Sequence, residues 1–158
     1  TNMYPDIINL ANNYYDLVLV DLDSNMNSYA VEKIIGASNL VVINLSQRLT
    51  SIDNFLEIKE KNAIFKARKT LLLIGRYDKY SKYSIKNVSR YMNEKNIVST
   101  IPYNTLFFEA AEEGKVPDLF LRLRKTVDEG DRNGFFIAEV GRTVENIIYR
   151  LQNLQTKR

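Results

Sequence analysis

Four short apolar runs, at residues 17–22, 40–45, 70–74 and 97–101, alternate with stretches whose apolar residues recur every three or four positions. Runs of that length with almost no polar interruption mark strands buried on both faces. Such strands joined by helices imply parallel β-α-β crossovers, since parallel neighbours need a long connection and carry helices on the sheet faces. The predicted fold is therefore α/β: a three-layer, open, mostly parallel sheet.

Between the runs the helical pattern is specific. Pro5 fits a first helical turn, and Ile7, Ile8, Ala11 and Tyr15 follow at helical spacing, predicting a helix over 5–13. A second helix over 28–35 is expected to stop at Gly36, where positive φ is tolerated. Thr50 or Ser51 is placed to cap a helix reaching about residue 64, with Ile52, Phe55, Leu56 and Lys59 in register. Ser84 opens another through Ile85, Val88, Tyr91 and Met92, and Pro102 stops the fourth strand. Two short helices, 106–113 and 118–127, precede the breaker-rich loop 128–134. Beyond it Phe136, Val140, Val144, Ile147, Leu151 and Leu154 mark a long helix over 135–158, expected to pack on the α/β domain of residues 1–127.

Composition excludes several kinds of chemistry. The chain has no cysteine and no histidine, so it carries no disulfide, no thiolate metal site and no imidazole base. A metal would be a hard cation on carboxylates, magnesium above all. No apolar run approaches the roughly 20 residues of a membrane span, and the reading is a soluble, cytoplasmic domain. Its 22 Lys and Arg against 19 Asp and Glu leave an excess too small to diagnose nucleic-acid binding. The cluster Lys59, Lys61, Lys66, Arg68 and Lys69 reads as solvated helix ends and loop.

In open α/β sheets ligands bind outside the strand carboxyl ends. That row holds Asp21 and Asp23, then Ser46 and Gln47, then Arg76, Tyr77 and Asp78, then Pro102, Tyr103 and Asn104. An aspartate ending an apolar strand holds magnesium beside phosphates in nucleoside triphosphatases, and equally caps a following helix or bonds loop amides. Arg76 suits a phosphate, a nucleobase or a surface salt bridge. The residues alone leave these alternatives open.

From Asp21 onward the chain resembles the second half of the MinD/ParA family of deviant Walker-type ATPases. Asp21-Leu22-Asp23-Ser24-Asn25 is similar to the family's strand-ending D-x-P-x-G, and Gly36-Ala37-Ser38-Asn39 to its turn into the next strand. The run Gln47-Arg48-Leu49-Thr50-Ser51-Ile52 corresponds to its Thr-x-Pro-like loop, and Leu73-Ile74-Gly75-Arg76-Tyr77-Asp78 to its strand ending in Asn-Arg-Tyr. Ile101-Pro102-Tyr103-Asn104, followed by Ala110, Gly114 and Pro117, looks like its I-P-x-x, A, G, P block and is the most specific part.

The resemblance implies a partial P-loop NTPase-like fold, with ATP and magnesium as ligands. Asp21 would be the magnesium-side carboxylate, and Arg76, Pro102 and Tyr103 would line the base. It further implies a homodimer enclosing ATP and a protein partner in positioning, partitioning or assembly of a cellular structure. Neither a membrane nor a DNA contact is specified. No catalytic residue is assigned. Asp23 stands where the family has proline, Asn25 where it has the switch glycine, Gly75 where it has asparagine and Gln47 where it has proline. No G-x-x-x-x-G-K-[ST] loop precedes Asp21, and the 158 residues are expected to be part of a longer protein with that loop upstream. The expected activity is a nucleotide switch that this chain alone does not hydrolyse. The alternatives are a degenerate, non-catalytic dimerisation or localisation module and a receiver-like phosphoacceptor domain with Asp21 modified.

Overall fold

A computed structural model describes residues 3–23, 28–66, 69–96 and 98–155, and their side chains except at positions 66, 154 and 155. Asn25, Arg68, Ile97, Lys157 and Arg158 of the sequence reading lie outside these residues. The chain divides into two compact units, Thr1–Val41 and Val42–Arg158.

In the first unit, α1 spans Met3–Asn12 and α2 spans Tyr29–Ala37. Helix α1 buries no residue fully, whereas α2 buries Ile34 and Ile35. Gly36 does not close α2 as its type suggested. The helix continues to Ala37, and Ser38 closes it, donating its N–H to the Ile34 and Ile35 carbonyls at 3.0 and 3.2 Å and its hydroxyl to Ile34 at 2.7 Å. The expected first strand is not formed. Residues 17–23 have neither helix nor strand structure, and Leu17, Leu19 and Val20 are exposed, Leu19 by 84%. A buried parallel strand needs backbone partners and cover on both faces. The run has the composition of a strand but no ladder among the described residues.

The remaining elements follow the predicted alternation. Strand β1 covers Val41–Ser46, starting on the last residue of the first unit; then come α3 at Leu49–Lys61, a 3-10 turn at Ala63–Lys66, β2 at Thr70–Tyr77 and α4 at Ile85–Tyr91. Strand β3 covers Ser99–Pro102, followed by α5 at Thr105–Glu112, α6 at Val116–Leu123 and α7 at Arg132–Gln155. The strands lie in the order β1-β2-β3, a small parallel sheet flanked by helices in a three-layer α/β arrangement. One face builds the main core: Leu45, Leu72, Ile74 and Val98 meet Ile52 and Phe55 of α3 and Val88 of α4, with Met92 just past it.

Caps account for several boundaries. Ser84 accepts from the Asn87 N–H at 3.4 Å and opens α4 as expected. Neither Thr50 nor Ser51 caps α3, which begins at Leu49 after Arg48; the Ser51 hydroxyl instead accepts from the Ser46 N–H at 3.1 Å. Gly114, at φ 69°, ends α5 in the left-handed conformation that favours glycine.

Helix α7 packs on β3, but not through its apolar stripe alone. Glu139, Thr143, Asn146 and Arg150 recur along one face. Thr143 donates its hydroxyl to the Thr100 carbonyl at 3.1 Å, Asn146 donates to the Ser99 hydroxyl at 3.0 Å, and Glu139 takes the Thr100 hydroxyl. Arg150 reaches the Thr70 carbonyl at 2.7 Å. Thr143 thus satisfies a β3 backbone carbonyl, Asn146 and Glu139 hold β3 side-chain hydroxyls, and Arg150 holds the first carbonyl of β2. The apolar contribution is at the helix start, where Phe136, 1% exposed, lies with its ring 5.4 Å from Phe107 of α5 and 6.1 Å from Phe120 of α6.

Candidate functional site

The adjoining carboxyl ends of β2 and β3 carry Arg76, which with Asn93 is one of two non-glycine residues at positive φ among the described residues. Their register runs Leu73↔Ser99, Ile74↔Thr100 and Gly75↔Ile101, then jumps to Tyr77↔Pro102. Arg76 is the extra residue, a bulge with φ 51°. A non-glycine residue in that region is disfavoured by about 1–2 kcal/mol because Cβ crowds the carbonyl oxygen. The bulge resets the strand's alternation. Tyr77 packs on the main core, its hydroxyl accepting from the Ile85 N–H at 3.5 Å, while Arg76 is left exposed.

The same bulge brings the predicted base-side residues together. Tyr103 donates its N–H to the Tyr77 carbonyl at 3.3 Å, carrying the pairing one residue past buried Pro102, and its ring is half exposed. Arg76, Pro102 and Tyr103 therefore share one sheet edge. Beside them, β1 and β2 approach closely at Gly75, where an added Cβ would lie 2.8 Å from the Asn44 Oδ1. The exposed Asn44 carboxamide occupies the space of any side chain at position 75.

Other residues of the row hold the scaffold. The Gln47 side chain donates to the Asp78 and Tyr83 carbonyls at 3.0 and 2.8 Å and accepts from the Asp78 N–H at 2.9 Å. One glutamine thus ties the end of β1 to the loop after β2. Asp78 accepts from the Tyr80 N–H at 2.9 Å, fixing the loop tip. Asn104, 3% exposed, caps α5 through the Phe107 N–H at 3.0 Å and donates to Asn133 of α7 at 2.8 Å. These are positioning contacts, and their satisfied side chains leave little capacity for a ligand.

Asp21 and Asp23 were expected at a strand's carboxyl end. Both instead lie in the irregular, exposed stretch of the first unit. Among the described residues no group of three or more His, Cys, Asp or Glu side chains could hold a metal ion. An open recess of about 380 Å³ lies away from this edge, between α7 and β3, lined by Ser99, Thr100, Glu139, Arg142 and Asn146 among others. Two of its charged side chains are paired: Arg142 binds Glu129 at 2.7 Å and also meets Glu139.

Sequence reasoning missed the left-handed Arg76 and the Gln47 clamp. Neither has a local signal, since φ at an arginine and the reach of a glutamine depend on the neighbouring strand. Comparison with protein-family models, with curated proteins and with solved structures gives no match. The family resemblance rests on the motifs themselves.

Proposed function

We propose that the carboxyl edge of β2 and β3 binds the base of an adenine nucleotide, with Arg76, Pro102 and Tyr103 against it. The chain is then the distal part of a MinD/ParA-class nucleotide switch, which positions, partitions or assembles a cellular structure as a homodimer with a protein partner. The observation that carries this reading is the bulge at Arg76. Backbone strain survives where the surrounding structure fixes it, and such positions cluster at ligand sites. Here exposed Arg76 and exposed Tyr103 flank buried Pro102 at one strand end, and a cation with an aromatic ring is a combination suited to stacking on a purine.

The described residues supply base contacts and no phosphate cradle. Hydrolysis is outside this proposal, and Asp21 as a magnesium-side carboxylate is supported by motif resemblance only. A non-catalytic dimerisation or localisation module is the second reading, favoured by the exposed, irregular stretch holding Asp21. Isothermal titration separates the two. Magnesium-ATP binds the wild-type protein, and Arg76→Ala and Tyr103→Ala each weaken binding about ten-fold, the scale of one cation or stacking contact. Absence of binding at millimolar nucleotide refutes the switch.

A further inference from the structure

Immediately after the bulge, Arg76-Tyr77-Asp78, Lys79-Tyr80-Ser81 and Lys82-Tyr83-Ser84 form three successive triplets of a basic residue, a tyrosine and a small polar or acidic residue. The basic recurrence continues into α4 with Lys86 and Arg90. Fifteen residues, 76–90, thus hold five cations against one acid, Asp78, a local excess that the chain's net charge of +3 conceals.

The fold sorts this segment into two sides. Tyr77, Tyr83 and Ile85 pack against the main core, with Val88 buried in it. Arg76, Lys79, Lys82, Lys86 and Arg90 are all exposed, and none forms an ion pair among the described residues. Tyr80 stands at the loop tip, 85% exposed, with its backbone fixed by Asp78. The Lys79 ammonium lies 5.4 Å from the Tyr80 ring centre and 4.6 Å from that of Phe135, which holds a cation beside a free aromatic face. The loop is held by the Gln47 clamp, by Asn87 donating to the Lys82 carbonyl at 2.7 Å and by Ser81 accepting from the Tyr83 N–H at 3.2 Å. It is a pre-arranged surface.

We propose that residues 76–90 bind single-stranded nucleic acid, with Lys79, Lys82, Lys86 and Arg90 following the phosphates and Tyr80 stacking on a base. A strip of unpaired cations attracts any polyanion; the exposed ring at its tip selects one with unstacked bases. The strip meets the proposed nucleotide site at Arg76, and its test leaves Arg76, Pro102 and Tyr103 unchanged, so that the two readings fail independently.

Fluorescence anisotropy of a labelled oligo-dT or oligo-rU of about 20 nucleotides tests it, with duplex DNA and vesicles of phosphatidylcholine and phosphatidylserine as competing arms. Wild-type protein binds the single strands, and added salt weakens binding. Lys79→Ala/Lys82→Ala flattens the log-log salt dependence by about 1.4, two contacts at roughly 0.7 each. Tyr80→Ala weakens binding about ten-fold and leaves the salt slope unchanged. All three positions are exposed, and unchanged circular dichroism confirms that the variants fold. No binding to single strands at low salt overturns the proposal. So does tighter binding to the duplex, vesicle binding without oligonucleotide binding, or single-strand affinity indifferent to these substitutions.

Discussion

Replacing Arg76 by glycine separates the two things that residue does. At φ 51° the arginine backbone bears about 1–2 kcal/mol of steric cost that glycine does not, while glycine loses about 0.5–1 kcal/mol more in conformational freedom on folding. The difference favours Arg76→Gly by roughly 0.5–1 kcal/mol. Arg76→Ala keeps the Cβ and therefore the strain, and because the side chain is exposed it leaves stability close to wild type. The predicted order is glycine above arginine and alanine together, about 1–4 °C in Tm for a chain of this size. Nucleotide binding should move the other way, both variants losing the guanidinium and about ten-fold in affinity. Urea and thermal unfolding beside titration with magnesium-ATP read both quantities on the same samples. A glycine variant less stable than the alanine variant would refute the left-handed bulge, and with it the reason for placing Arg76 in a site.

Three further outcomes follow from particular contacts. Gln47→Ala removes three hydrogen bonds between the end of β1 and the loop after β2, and should lower unfolding free energy by about 1–3 kcal/mol while raising amide exchange at 78–83. Gly134→Ala should cost about 2 kcal/mol or more in chemical denaturation, because the new Cβ would collide with the Asp128 backbone oxygen and the loop before α7 must shift. Burial raises the Glu94 pKa, but hydrogen bonds from Asn96 and the charge of Lys59 outweigh it and hold the carboxyl below its ordinary 4.5. A depressed pKa contributes stability above the unfolded value that is lost as pH falls through the folded one. The Tm gap between wild type and Glu94→Gln should therefore be widest near neutrality and narrow as the pH falls below about 4.5; a constant gap contradicts the assignment.

Much of the sheet was legible because apolar period and length agree at β1, β2 and β3 and helical recurrence fills the gaps. Ser84 was legible as a cap because its role is local. Residues 17–22 misled because composition reports a segment's fitness for a ladder, not the presence of a neighbouring strand. The stripe from Phe136 to Leu151 foretold that α7 packs on the domain but not its polar contacts: Thr143 meets the Thr100 carbonyl and Asn146 the Ser99 hydroxyl, which no apolar count signals. Of the candidate site residues, Arg76, Pro102 and Tyr103 were all named from motifs at strand ends. The one-residue bulge that carries Arg76 was not legible, since its φ has no signature in an arginine. The basic strip 76–90 was present in the sequence but diluted when charge was summed over the whole chain.

The central claim is one of place: an adenine nucleotide at the carboxyl ends of β2 and β3. Hydrogen exchange with and without saturating magnesium-ATP tests it directly. Amides at 75–78 and at 103 and 104 are expected to slow with nucleotide, an effect lost in Tyr103→Ala. Protection confined to other segments, or none at saturating nucleotide, contradicts it.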